Sequence, residues 1–229
     1  RSDRDWSSDV CSSDLFQAQK ARKEAEIYQL KNVALQQEIE QRKQTQAELE
    51  RMARIDPLTD LYNRRYFYNL AENEFKRSQR YKHSLSLILL DVDHFKQIND
   101  SYGHLIGDQV LIQIAKRIND SVREVDITSR FGGEEFLILL PETNATGSML
   151  VAERIRQRIA GTMFETDAGK IPVSISLGIA DSESIEKLDM VINHADAALY
   201  EAKRKGRNQV AIFNGQPISG ISQQAKTLN

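Results

Sequence analysis

Two carboxylates, Glu134 and Glu135, directly follow a glycine pair, Gly132-Gly133. Strand-forming residues, Ile127 to Phe131, precede them, and an apolar run, Phe136 to Leu140, follows. The pattern predicts a hairpin with Gly-Gly at its tip. Paired glycines accept positive φ and leave no side chain in the way of a ligand. Acidic side chains beside so bare a turn offer the oxygen donors that a divalent cation prefers. Taken alone, the same four residues also describe a solvated hairpin with charged shoulders. A second acidic strand end and a second Gly/Asp loop shift the balance toward chemistry.

That strand end closes the apolar run Ser84 to Leu90, which leads into Asp91-Val92-Asp93-His94-Phe95. A carboxylate where a buried strand meets its loop is a common metal position in α/β proteins. Asp91 is the candidate, while Asp93 reads equally well as a helix N-cap. Asn99 and Asp108 bracket the Gly103-His104 and Gly107 loop. An amide suits the guanine carbonyl, and a carboxylate suits its N1-H and exocyclic amine. Each is as readily a turn former or a helix cap. His104 has no second His or Cys at metal spacing and reads as a packing or hydrogen-bonding side chain. Lys203 and Arg207 end a helical pattern, with Lys205-Gly206 between them. They suit a helix C-terminus and equally a phosphate clamp. Arg123 and Asp126 could clamp a nucleotide or simply pair with each other.

The elements that must position these residues are legible from periodicity. Asn63 suits the cap of a helix from Arg64 to about Tyr81, with Tyr66, Leu70, Phe75 and Tyr81 as its buried stripe. A helix is expected from about Gly107 to Val122, and another from Asn144 to Ala160 with Met149, Leu150, Ala152, Ile155 and Ile159 inward. Ile171 to Gly178 alternates as a half-buried strand, with Pro172 near its start. Leu188 to Lys205 is helical, with Met190, Val191, Ala195 and Leu199 among its inward residues, before a last strand, Gln209 to Phe213.

Upstream, Phe16 to Arg54 is rich in Gln, Glu, Lys, Arg and Ala and lacks Gly and Pro, so helix propensity is high throughout. Leu35, Ile39, Leu49 and Ala53 share one heptad register, which Arg42 and Gln46 interrupt, and Ile27 and Leu30 fit a shifted one. This describes a stuttered coiled coil that needs a partner helix, with a parallel dimer favoured over a single solvated helix. Pro57, in Asp56-Pro57-Leu58-Thr59, ends it. Arg1 to Leu15 is polar, Ser/Asp-rich and aperiodic. Its end, Asp9 to Leu15, back-translates as GAC GTG TGC TCT TCC GAT CT, which looks like a sequencing adapter read through. A non-native leader is therefore expected over 1–15, with an upstream sensory domain missing.

The chain of 229 residues carries a formal net charge of −2, which gives no support to a nucleic-acid or membrane-surface role. Its longest apolar runs are about eight residues, against the roughly 20 needed to span a bilayer. The single cysteine, Cys11, excludes an internal disulfide and a Cys-rich zinc site. Expected organisation is a leader (1–15), a coiled-coil helix (16–54), a catalytic domain (55–213) and a disordered polar tail (214–229). The catalytic domain is expected to be cytoplasmic, in a parent that a membrane anchor could hold.

Gly132-Gly133-Glu134-Glu135-Phe136 resembles the signature of the GGDEF domain family, the diguanylate cyclases. The likeness extends over about Arg51 to Phe213 through motifs in matching order. These are Asp56-Pro57-Leu58-Thr59, Asp91 to Lys96, Asn99-Asp100, Gly103-His104, Gly107-Asp108, Ser176 to Ala180, His194-Ala195-Asp196, Tyr200 to Lys203 and Gly206-Arg207-Asn208. The resemblance implies an α+β fold with a central, mostly antiparallel sheet flanked by helices, similar to the palm of nucleotidyl cyclases. It implies two GTP molecules, one per protomer of a homodimer, condensing into cyclic di-GMP and pyrophosphate. Asp91, the Val92 carbonyl and Glu134 would hold Mg²⁺, with Mn²⁺ as an alternative. Glu134 would accept the proton, Lys96 would stabilise phosphate charge, and Lys203 and Arg207 would bind the phosphates. Asn99 and Asp108 would read guanine. The Arg123-to-Asp126 spacing, with Arg154, resembles the family's inhibitory product site. The alternative is a catalytically silent domain that binds GTP or cyclic di-GMP as a signalling module. Glu at the third motif position keeps the carboxylate that the eponymous Asp supplies. Intact Asp91, Lys96, Glu134, Lys203 and Arg207 favour the enzyme.

Overall fold

A computed structural model describes residues 6–215, with side chains from Phe16 onward; the expected tail beyond Gly215 and the start of the leader lie outside the described residues. The chain divides between Arg51 and Met52. Helix α1 (Trp6–Arg54) already includes the backbone of Trp6 to Leu15, the segment set aside on codon grounds. Its apolar side chains face solvent, among them Ile27, Leu30, Leu35, Ile39 and Leu49. A helix that buries no apolar stripe gains little from burial, and its stability rests on propensity and local pairs such as Gln46 with Glu50.

The second unit is a six-stranded mixed sheet with helices on both faces. Along the chain it comprises β1 (Tyr62–Asn63), α2 (Arg64–Tyr81), β2 (Leu85–Val92), α3 (Phe95–Tyr102), α4 (His104–Asn119), β3 (Ile127–Gly132), β4 (Glu135–Pro141) and α5 (Ala145–Ala160). It continues with β5 (Phe164–Thr166), β6 (Gly169–Ile171), β7 (Ile175–Asp181), α6 (Leu188–Arg204) and β8 (Val210–Ile212). Sheet order is β1-β3-β4-β2-β7-β8, and β5-β6 forms a separate hairpin. The inner pairings are antiparallel and both edge pairings are parallel.

Strand β2 lies at the centre with every residue buried, which explains its near-continuous apolar run. Alternation along it feeds two cores. Ile88, Leu90 and Val92 pack toward α3, α4 and α5, and Leu85, Leu87 and Leu89 toward α2 and α6. Each such side chain is worth about 2 kcal/mol when fully buried. Asn63 caps α2, its side chain accepting from the Tyr66 amide at 2.9 Å.

Several expected faces shift. The buried stripe of α2 is Phe67, Ala71, Phe75 and Ser78, and Tyr81 is exposed. Met190 and Leu150 also face solvent, because their helices turn Val191 and Ala152, one and two positions further on, to the sheet. The expected helix from Gly107 begins earlier, at His104, and follows an additional short helix, α3. The Ile171 strand is broken at Pro172: Ile171 ends β6, and β7 starts at Ile175 as a buried rather than half-buried strand.

One close approach sets where α6 sits. A Cβ on Gly178 in β7 would overlap the Ala195 carbonyl oxygen and the Leu199 amide nitrogen of α6. Both obstacles are backbone, so the helix itself would have to move. Gly178→Ala is expected to destabilise the fold by about 3 kcal/mol, read from the urea midpoint. A loss under about 0.5 kcal/mol would show that α6 has slack.

Candidate active site

Register brings the acidic residues together. Asp91, near the end of β2, stands opposite Glu135 of β4 on one side and Ser176 of β7 on the other. The turn Gly133-Glu134 connects β3 to β4, with a register shift between Arg130 and Gly132 and positive φ at Gly133. The Glu134 carbonyl accepts from the Val92 amide at 3.4 Å, so the hairpin tip docks on the end of β2. Glu134 and Glu135 are half-buried and Asp91 is nearly buried.

Charge is balanced here by α6, which packs on the face of β2 that carries the Asp91 side chain. Lys203 Nζ of α6 lies 2.8 Å from Asp91 Oδ2. Burial raises the Asp91 carboxyl above its ordinary range, Lys203 pulls it back, and Glu134 and Asp93 push it up again. Glu135 is raised too, first by burial and then by the Asp91 charge. Asp196, two turns before Lys203 on α6, adds to the negative field at Glu135. Among the described residues no group of three or more His, Cys, Asp or Glu forms a ready-made metal cage. The donors fit Mg²⁺ in another way, because that ion is commonly held by one or two carboxylates with water and substrate phosphates completing its shell.

Asp93 does not cap a helix, since His94 takes the position before α3. Its carboxylate accepts from Ser174 Oγ and Ser176 Oγ, each at 2.7 Å, and from the Asn208 amide at 3.0 Å. Those three donors lock the start of β7 and the turn after α6 to the end of β2. That turn carries Arg207, exposed and with φ 63. Lys96 is exposed on the first turn of α3 and pairs with no carboxylate among the described residues.

Asn99 Oδ1 is buried without a hydrogen-bond partner. It packs where a side chain at Gly107 would have to go, so the glycine makes room for the amide beside Asp108. Asn99 in α3 and Asp108 in α4 both lie near the junction of those helices. An orphaned buried acceptor costs about 1–3 kcal/mol.

Arg123 and Asp126 do pair. The Asp126 carboxylate accepts from the Arg123 amide at 2.7 Å and Nη2 at 2.9 Å, and Arg123 Nη2 also reaches Thr143 Oγ1 at 2.9 Å. Arg154 donates twice to the Ser121 carbonyl, at 2.6 and 3.1 Å. All three border the connection from α4 to β3. About 17 Å of β3 separates Asp126 from the hairpin tip.

The profile of a family described as "Diguanylate cyclase, GGDEF domain" matches residues 53–209. The chain belongs to the GGDEF domain family. Diguanylate cyclase A of Treponema denticola is 39% identical over 170 residues, covering 72% of this chain and 46% of that protein. Diguanylate cyclase DgcP of Pseudomonas aeruginosa is 42% identical over 160 residues, covering 70% of this chain and 24% of that one. This GGDEF chain therefore spans less than half the length of those relatives. The coiled coil and GGDEF domain of DgcB from Caulobacter crescentus, solved with c-di-GMP, superposes with a TM-score of 0.72 at 29% identity over 86% of this chain and 98% of that one. The active GGEEF domain of a Vibrio cholerae diguanylate cyclase gives 0.64 at 34% identity, over 67% and 98%. No helix of the described residues is long and apolar enough to cross a membrane.

Two contributors to this GGDEF site escaped the sequence reading. Arg130 holds the hairpin tip: Nε and Nη2 donate to the Gly133 carbonyl at 3.0 and 2.9 Å, and Nη1 reaches Asp56 Oδ1 at 3.3 Å. Asp56 also accepts from the Thr59 amide and hydroxyl, at 3.0 and 2.7 Å. Only proximity across the fold reveals that bridge. Asp196 had a signal, since seven residues separate it from Lys203 and place both on one helical face.

The raised carboxyls have a stability consequence. Their ionised forms are disfavoured in the folded state, so the penalty is absent below about pH 4 and grows as pH rises through the raised values. Glu135→Gln removes part of it. The variant is expected to melt a few degrees above the parent at pH 8 and to converge with it near pH 4. Equal melting temperatures at pH 8 would exclude a strained carboxylate at this position.

Proposed function

We propose that this chain is a diguanylate cyclase, condensing two GTP into cyclic di-GMP and two pyrophosphates where two protomers face each other. The observation that carries the reading is the meeting of Asp91, Glu134, Glu135 and Lys203 at one end of the central sheet. The turn with Arg207 is tied to the same strand end through Asp93. Carboxylates that repel one another beside exposed cations suit a polyphosphate with a divalent ion. The named relatives, all diguanylate cyclases, support the same direction.

In this reading Asp91, the Val92 carbonyl and Glu134 hold Mg²⁺. When bound, the ion neutralises phosphate charge and makes the attacking 3′-hydroxyl more acidic. Glu134 accepts the hydroxyl proton as that oxygen attacks the α-phosphate of the partner's GTP. Lys203 leaves Asp91 and, with Arg207, binds the phosphates, while Lys96 stabilises the charge developing on them. Asn99 and Asp108 read the guanine edge, the Asn99 amide donating to the guanine carbonyl and the Asp108 carboxylate accepting from N1-H and the exocyclic amine. One protomer holds only half of the reacting pair. The exposed apolar residues of α1 would bring the two halves together as a parallel coiled coil. Arg123, Asp126 and Arg154 would bind cyclic di-GMP as product and inhibitor.

Incubation with GTP and Mg²⁺, followed by nucleotide chromatography, tests the activity. Cyclic di-GMP should form, and Glu134→Gln should lower the rate at least 10³-fold, as expected for loss of a general base and ion ligand together. Undiminished turnover by that variant would remove Glu134 from the mechanism. A parent that binds GTP yet gives no product, even as a forced-dimer fusion, would establish the signalling-module alternative.

Arg123→Ala keeps the backbone amide that donates to Asp126 and removes only the guanidinium. The product concentration for half-inhibition is expected to rise at least tenfold, about 1.4 kcal/mol of lost binding. An unchanged inhibition curve would refute the product-site reading.

A further inference from the structure

The turn that carries Arg207 does not hold its own shape. Gly206, Arg207 and Asn208 all have positive φ, 116, 63 and 45, and only the first is glycine. Consecutive left-handed residues are disfavoured for side chains with a Cβ and persist only where surroundings impose them. Some of the restraint is local: the Arg207 amide and Gln209 Nε2 both donate to the Ala202 carbonyl, at 3.1 and 2.8 Å. From inside, Asp93 takes the Asn208 amide.

From outside, a residue of α5 completes the grip. Arg156 Nη1 donates to Asn208 Oδ1 at 2.9 Å and to the Asn208 carbonyl at 3.3 Å. The rest of the guanidinium is fixed by Glu153, which accepts from Nε at 2.8 Å and from Nη2 at 2.6 Å. The Arg156 side chain is 20% exposed and Glu153 34%, so this is a partly desolvated fork rather than a loose surface pair. Glu153 is itself held by Gln157 Nε2 at 2.9 Å. A planar guanidinium can serve a carboxylate and an amide at once in fixed directions, which an ammonium cannot.

We infer that Arg156 is a positioning residue for the phosphate clamp, holding Asn208 so that the adjacent Arg207 points at the triphosphate. The inference rests on the reading of Lys203 and Arg207 as phosphate ligands. Arg156 touches no reacting atom in this scheme. It acts through the turn, so its effect belongs to phosphate binding and disappears when Arg207 is gone.

A double-mutant cycle on the full chain tests this, with 3′-deoxy-GTP and Mg²⁺ in titration calorimetry as a ligand that cannot react. Arg156→Ala and Arg207→Ala are each expected to weaken binding about tenfold, and the double variant to bind no more weakly than Arg207→Ala alone. Guanosine, measured by competition, should bind Arg156→Ala as it binds the parent. Asn208→Gly keeps the left-handed turn and the weaker carbonyl contact but removes the side-chain acceptor, should reproduce most of the loss, and carries the test if Arg156→Ala fails to fold. Arg156→Lys should not rescue; rescue would mean that charge, not geometry, matters, and would overturn the inference. Additive losses, or an Arg156→Ala that binds normally while Arg207→Ala does not, would overturn it with the clamp intact. If Arg207→Ala binds normally, the clamp reading fails and the inference with it.

Discussion

The contact between Lys203 and Asp91 is the point on which the rest of the site depends. Asp91 sits almost buried among other carboxylates. A buried uncompensated charge is costly. Lys203 at 2.8 Å supplies the compensation through an ammonium on a flexible stem. For that to work, α6 must run close over β7. Gly178 permits this by keeping a Cβ out of the helix backbone. A displacement of α6 by one turn, about 5.4 Å, would leave Asp91 without a partner.

The sheet supplies the other half of the geometry. With β2 central and antiparallel to both neighbours, Asp91 is flanked by the start of β4 and by Ser176 of β7. Two apolar cores clamp β2 from opposite faces, so the acidic end is rigid although it opens to solvent. Site loops are then fixed by polar side chains instead of apolar burial. Arg130 joins the hairpin tip to Asp56 at the entry of the domain, and Asp93 and Arg156 grip the turn after α6 from two sides. Each hydrogen bond contributes only about 1 kcal/mol yet fixes direction.

Much of this was legible in the chain. The Gly-Gly turn, the apolar run ending at Asp91 and the cap at Asn63 follow from local preferences of the backbone, and local preferences are written in sequence. The long helix before Pro57 follows likewise from composition. The motif order from Asp56 to Asn208 specified the family because those residue types at those spacings rarely occur together by chance. Less legible were the faces of single helices. Tyr81, Leu150 and Met190 looked buried by period but turn outward, since residues at other angles on the same helices face the sheet.

What the sequence determined by itself was the set of chemical groups and the elements that carry them: acidic strand ends, a bare turn, basic residues after a helix, a charged stem. Tertiary structure alone decided which of them meet. Asp93 looked like a helix cap and instead ties three segments, because β7 and the turn after α6 arrive beside it only in the folded sheet. Arg130 stood beside the Gly-Gly turn with no role of its own and Arg156 carried no motif, and their partners Asp56 and Asn208 lie 74 and 52 residues away. Contacts at such separations depend on register and on helix placement. Those are set by packing both cores at once, a collective condition that no local pattern encodes.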